Sequence, residues 1–243
     1  MSDHCERGGF VACRLCHVVR RSDWDGLDDA AAALLARGLS RREYASGEVI
    51  FAQGDVNLGV HCVYTGAVAV RRLDDRGNSL LLALAYPGDT IGYHSFLAGT
   101  EHTASVEAVG PSVVCHIPRN TLAALLEAAP SVALHFLKRS IGEIEDANDK
   151  LFLQATLSHR HQLVHLLLVL VRRHGRRLEN GSHLIELPVS RRDLASMIGT
   201  RQETVSRIIG RLETAGIAYF SGRQVTIPNV EILTAEMNQF AAA

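Results

Sequence analysis

Glu203, Ser206 and Arg207 are the side-chain types that read base edges in a DNA groove, and they recur at intervals of three and four along one short stretch. An arginine can give a bidentate hydrogen bond to guanine O6 and N7, a glutamate can accept from the cytosine amino group, and a serine serves either way. Arg201 and Gln202 precede them on the same outward side. The plain alternative is that Glu203 caps its helix and the arginines form a solvated face. A second chemistry sits at the other end of the chain, where Cys5, Cys13 and Cys16 crowd a glycine-containing segment. Five cysteines in a chain that opens without a secretory signal point to metal binding or redox chemistry rather than a disulfide scaffold. Cys13-Arg14-Leu15-Cys16-His17 also fits the C-x-x-C-H motif of covalent haem attachment, which belongs to exported proteins. A zinc site from Cys5, Cys13, Cys16 and one of His4, His17 or Cys115 uses the same donors, and ligand type alone does not separate zinc from iron–sulfur. Cys62 falls in a strand-like run and reads as a small core residue.

The base-reading residues need two crossed helices to carry them. Ser190 with Asp193 three positions on has the form of an N-cap, and Leu194, Met197 and Ile198 form the inner face of a first helix. Gly199 breaks that helix. Thr200 with Glu203 has the form of a capping box, and Val205, Ile208, Ile209 and Leu212 recur at helical spacing as the buried stripe of a second helix. After Gly216, residues 217–220 and 224–227 flank a Ser221-Gly222-Arg223 turn and read as a hairpin, the wing of a winged helix-turn-helix. Upstream, Pro130 opens a long helix in which Leu134, Leu137, Ile141, Ile144, Asn148 and Leu151 follow an a/d spacing. Such a seam wants a second copy, with Asn148 fixing register, or else packs on the chain's own core. A hinge follows near Ser158. Between residues 46 and 117, turn signals separate strand-like runs at Val49 to Ala52, Val60 to Tyr64, Ala67 to Arg72, Leu80 to Ala85, Ala104 to Val109 and Val113 to Ile117, the pattern of a jelly-roll barrel. A short amphipathic helix with Trp24, Leu27, Ala31, Leu34 and Leu35 precedes them. The reading is an α+β chain with a cysteine-bearing segment over 1–20, a β-barrel over 21–129, a dimerisation helix over 130–158 and a DNA-binding domain over 159–243.

Charge agrees with this division. The whole chain is at formal net −1, yet residues 160–223 hold eleven arginines and no lysine against five acidic residues, a basic module joined to an acidic one. The longest apolar run, Leu163 to Val171, is too short for a membrane span, so a cytoplasmic protein with no membrane partner is expected. No phosphate loop, nucleophile elbow or H-E-x-x-H helix is present, which argues against an enzyme. A cupin-like metalloenzyme would need metal-binding histidines set close together, and His61, His94, His102, His116, His135 and His165 show no such spacing.

Barrel, long helix and winged helix-turn-helix, in that order, resemble the Crp/Fnr family of bacterial transcription regulators over nearly the whole chain. The resemblance rests on the turns in Val49-Ile50-Phe51-Ala52-Gln53-Gly54-Asp55, Tyr64-Thr65-Gly66-Ala67-Val68 and Pro87-Gly88-Asp89-Thr90-Ile91-Gly92, and on Glu203-Thr204-Val205-Ser206-Arg207, which looks like the E-x-x-S-R signature of the Fnr branch. It implies a cyclic-nucleotide-binding-like barrel, a homodimer, a TTGAT/ATCAA-type palindrome of double-stranded DNA contacted by Glu203, Ser206 and Arg207, and RNA polymerase as a partner. The cyclic-AMP branch carries an arginine–serine pair in the barrel. Glu101-His102-Thr103-Ala104-Ser105 lacks that arginine, which argues against a cyclic nucleotide. Cys115, within Ser112-Val113-Val114-Cys115-His116-Ile117-Pro118, resembles the family's fourth cluster ligand, so the resemblance implies a [4Fe-4S] cluster on Cys5, Cys13, Cys16 and Cys115 that senses oxygen or redox state. The spacing departs from the better-known members, because Cys5 precedes the close pair instead of following it. Ala147 stands where oxygen-sensing relatives carry a carboxylate, which implies a less complete monomer–dimer switch. Noncovalent haem on one of the histidines, or a thiol or zinc site, is the alternative sensor.

Overall fold

Glycine and aspartate turns cut the first half of the chain into short strands, and the computed structural model, which describes Trp24, residues 26–187 and residues 189–238, assembles them into two sheets. The chain divides into two compact units, Met1–Glu145 and Asp146–Ala243, with the division inside a long helix. In the first unit α1 (Asp29–Gly38) leads into β1 (Ser40–Tyr44), β2 (Val49–Phe51), β3 (Gly59–Thr65), β4 (Val68–Leu73), β5 (Ser79–Ala85), β6 (Thr90–Ile91), α2 (Tyr93–Ala98), β7 (Ser105–Ala108) and β8 (Ser112–Pro118). All six expected strands are present within a residue or two of their predicted ends. β1 and β6 are additions: the run Ser40–Tyr44 carries three charged residues and is buried only at Tyr44, so it shows no apolar signal.

The strands pair antiparallel in the orders β1-β8-β3-β6 and β2-β7-β4-β5. The jelly-roll expected from the turn spacing takes the form of two sheets packed face to face that do not close into a ring. Alternation along β3 and β8 sends Val63 and Val114 inward to meet Val68, Val106 and Ala108 of the other sheet. The same alternation sends Val60, Cys62, Cys115 and Ile117 to the opposite face. There α1, α3 (Arg119–Ala128) and α4 (Ser131–Thr156) cover them with Leu35, Leu122, Leu125, Val132 and Phe136. Asp28 caps α1, accepting from the Ala31 N–H at 2.8 Å. Trp24 lies before that helix, buried edge-on against Phe136 at 5.5 Å. Pro130 disfavours helical backbone at Ala129, so α3 stops there and α4 leaves at 107°.

In the second unit α4 ends at Thr156 and Ser158 caps α5 (His159–His174), the break expected near that residue. β9 (Arg176–Arg177) and β10 (His183–Glu186) follow, then α6 (Arg191–Met197), α7 (Gln202–Thr214), β11 (Tyr219–Ser221), β12 (Gln224–Ile227) and α8 (Val230–Asn238). Their strands form one antiparallel sheet in the order β11-β12-β10-β9. Leu163 and Leu167 of α5, Leu194 of α6, Leu212 of α7, Ile185 of β10 and Leu233 of α8 are fully buried. Among the described residues no single helix is long and apolar enough to cross a membrane.

Candidate nucleic-acid interface and sensor residues

The two crossed helices exist, with one exchange of caps. Ser190 and Asp193 form the capping box: Ser190 Oγ accepts from the Asp193 N–H at 3.2 Å while Asp193 Oδ2 accepts from the Ser190 N–H at 2.8 Å. The box expected at Thr200 and Glu203 does not form. Gly199, at φ +65° in the left-handed region open to glycine, closes a turn in which the Thr200 N–H donates to the Ala195 carbonyl. Thr200 is thereby held one residue upstream of the cap, and Arg201, whose carbonyl accepts from Thr204 and Val205, takes that place without a side-chain bond. Glu203 is left on the exposed side.

Val205, Ile208, Ile209 and Leu212 are buried, and this stripe turns the opposite face of α7 outward. Arg201, Gln202, Glu203 and Arg207 are exposed and Ser206 is half-buried, so the five expected DNA-reading residues share one end of one helix. Arg207 bonds only weakly within the helix, to Thr204 Oγ1 at 3.4 Å. The expected hairpin is present with its first strand shifted: Tyr219–Ser221 forms it, so Ser221 pairs with Gln224 across a two-residue Gly222-Arg223 turn, and Phe220 donates its N–H to Glu213 Oε1 at 3.0 Å, tying the hairpin to α7.

The long helix carries its a/d residues outward. Leu134, Leu137, Ile141, Ile144 and Leu151 are between 48 and 64% exposed, Asn148 is exposed with them, and the neighbouring Phe152, which the spacing did not single out, is exposed too. Val132 and Phe136 are the residues that face the sandwich. Glu143 on this helix accepts from Tyr93 Oη at 2.8 Å and from Arg139 Nε at 3.2 Å, and Arg139 also reaches Asp89 at 3.0 Å. Burial and the Glu143 carboxylate raise the Tyr93 pKa.

Cys5, Cys13 and Cys16 lie outside the described residues. Cys115 sits in β8, only 5% exposed, directly across from Cys62 of β3 and in the same core as Trp24, Tyr93 and Phe136. Cys62 is a core residue, as expected. Among the described residues no three His, Cys, Asp or Glu side chains are placed to hold a metal ion.

Histidines that lie far apart in the sequence nevertheless meet. His61 of β3 and His116 of β8 are register partners with rings 4.7 Å apart, and Phe51 stacks on His102 at 3.8 Å and tilts against His61 at 5.2 Å. Burial, reinforced by His116 and His102, lowers the His61 pKa to about 3, and burial also lowers those of His102 and His116. Nδ1 of His61 is buried with no hydrogen-bond partner. Spacing could not reveal this group, because strand register, not helical periodicity, brings its members together.

Two family models match this chain: the cyclic nucleotide-binding domain over residues 41–129 and the Crp-like helix-turn-helix domain over residues 161–236. The fumarate and nitrate reduction regulatory protein of Salmonella typhimurium is 25% identical over 232 residues, covering 96% of this chain and 89% of that protein. Its Escherichia coli K12 counterpart is 24% identical over 230 residues, covering 95% and 88%. Among solved structures, FixK2 from Bradyrhizobium japonicum superposes with a TM-score of 0.70 at 29% identity, covering 81% of this chain and 96% of that one. A CooA mutant from Carboxydothermus hydrogenoformans shares the fold, with a TM-score of 0.71 at 16% identity over 91% and 95% of the two chains. With both domain models in family order and likeness running through nearly the full length, the chain belongs to the Crp/Fnr family of DNA-binding transcription regulators.

Proposed function

We propose that this regulator acts as a cytoplasmic homodimer on a TTGAT/ATCAA-type palindrome and binds rather than catalyses, with RNA polymerase as its partner at the promoter. Glu203, Ser206 and Arg207 read the bases, and Arg201 and Gln202 sit beside them at the groove. The observation that carries this reading is the α7 face itself, with base-reading side chains outward at the N-terminal end over a fully buried apolar stripe. Two copies joined along Leu134, Leu137, Ile141, Ile144, Asn148 and Leu151 would give the two-fold symmetry that a palindrome mirrors. Arg207→Ala should abolish preference for the palindrome, since one bidentate pair is worth about 1 to 3 kcal/mol per half-site. Titration against palindromic and scrambled duplexes checks it; equal weakening on both, with a flatter salt dependence, would reassign Arg207 to phosphate binding.

The signal enters through a [4Fe-4S] cluster held by Cys5, Cys13, Cys16 and Cys115. When bound, the cluster supplies an oxidant-sensitive link between the N-terminal segment and β8. The donor chemistry suits the group and so does reach. Only seven residues lie between Cys16 and Trp24, at most about 29 Å of extended chain over eight steps, and Trp24 is packed in the core that contains Cys115. A sensor built on imidazole, with zinc or noncovalent haem, is the second reading; the unsatisfied Nδ1 of His61 beside His116 favours it.

A further inference from the structure

Along the exposed face of α7, Glu203, Ser206, Arg207, Gly210, Arg211 and Thr214 recur at spacings of three and four, and one of them has no side chain. Gly210 is not required by the fold. Its backbone is ordinary helix, and a Cβ built on it would meet nothing within 4 Å. Glycine is the least favourable helix-interior residue short of proline, so the position carries a cost that no packing interaction offsets. Beside it lies a shallow, open depression of about 540 Å³ lined by Arg207, Gly210, Arg211, Thr214 and Ala215. Thr214 does not fill it, because its hydroxyl folds back onto the Gly210 carbonyl at 2.8 Å. An arginine stands on either side of the gap, both exposed.

We propose that the Gly210 cleft seats the sugar–phosphate backbone of DNA, so that Gly210 sets how closely α7 approaches the duplex and Arg211 holds a phosphate at its edge. The inference rests on the DNA-reading assignment above and extends it to the C-terminal half of the helix. Two cationic side chains around a gap with no side chain of its own fit a polyanionic strand, and a shallow seat lets Arg207 and Glu203 reach base edges from a helix that lies close in the groove. Gly210 is a positioning residue here, and Arg211 contributes affinity without sequence preference.

The test uses the full-length protein and two probes, a duplex with inverted TTGAT half-sites and a scrambled duplex. Gly210→Ala should fold normally with a raised Tm, yet lose about tenfold in affinity for the palindrome, the loss expected when one bidentate base pairing is displaced. Arg211→Ala should weaken both duplexes alike and reduce the slope of log affinity against log salt by about one for each phosphate that the protein no longer neutralises. Unchanged or tighter palindrome binding by Gly210→Ala overturns the inference while leaving DNA reading intact. Wild-type protein that does not distinguish the duplexes overturns both.

Discussion

At the scale of single residues, what distinguishes this chain is where it places ionisable groups. Arg201, Gln202, Glu203 and Arg207, proposed to lie at the DNA, stand in solvent, whereas His61, His102 and His116 are drawn toward the inside of the sandwich and their pKa values are lowered by burial. A histidine whose folded pKa lies near 3 binds fewer protons than its unfolded counterpart at 6.5 throughout that interval. Stability therefore rises with pH across the window: it is complete above about pH 6.5 and declines as pH falls toward 3. His102, His116 and His165 shift in the same direction and add to the effect, while Asp55 beside His102 opposes it. Urea midpoints measured between pH 8 and pH 5 should fall on acidification in the wild type and fall less in His61→Leu. Identical slopes for the two proteins would remove His61 as a source of acid sensitivity.

Elements explain why some of this is legible in the sequence and some is not. Helices α6 and α7 are readable because their apolar stripes are regular and Gly199 marks the turn between them. The cap of α7 departs from its expected place because Thr200-x-x-Glu203 satisfies the local pattern of a capping box, while a backbone bond from Thr200 to Ala195 claims the residue for the turn. Strand positions follow from turn residues, but which histidines face each other depends on register between β3 and β8, a long-range pairing with no local signal. Helix α4 is the reverse case: its a/d spacing announces an apolar seam, and the seam is exposed. Val132 and Phe136 are the residues of α4 buried against the sandwich, and Arg139 and Glu143 reach it through polar bonds, so Leu134, Leu137, Ile141, Ile144 and Leu151 remain for a second copy. Ile144→Glu places a charge in that seam without touching either core. Sedimentation should find it monomeric and unable to hold palindromic DNA, with helical content unchanged; wild-type protein that stays monomeric on its DNA would defeat the dimer.

Over the whole molecule, the proposed cluster requires that an event among N-terminal thiolates reach the helix proposed to join two copies. The first unit offers a continuous route. Trp24 meets Phe136 of α4, Phe136 stacks on Tyr93 at 5.0 Å, and Tyr93 bonds Glu143, one residue from the seam at Ile144. Cys115 lies in the same core as Trp24, Phe136 and Tyr93, so ligation at Cys115 would act on the packing against the seam helix. Cys62 is directly opposite and similarly buried, which makes the two thiols an internal control: burial and depth are matched, and only the resemblance to cluster-binding relatives tells them apart. Protein isolated without oxygen should be brown, with about four iron and four sulfide per chain, and should lose colour and change DNA affinity in air. Cys13→Ser, Cys16→Ser and Cys115→Ser should each abolish the iron, as should Cys5→Ser, while Cys62→Ser retains it. Because Ala147 stands where the resemblance to oxygen-sensing relatives implies a carboxylate, the iron-free form should keep part of its dimer and DNA affinity, giving a graded response. Iron retained in Cys115→Ser but lost in Cys62→Ser would move the ligand across the strand pair, colourless anaerobic protein with stoichiometric zinc would replace the cluster with a thiol or zinc site, and a haem absorption band would replace it with a haem sensor held by histidine.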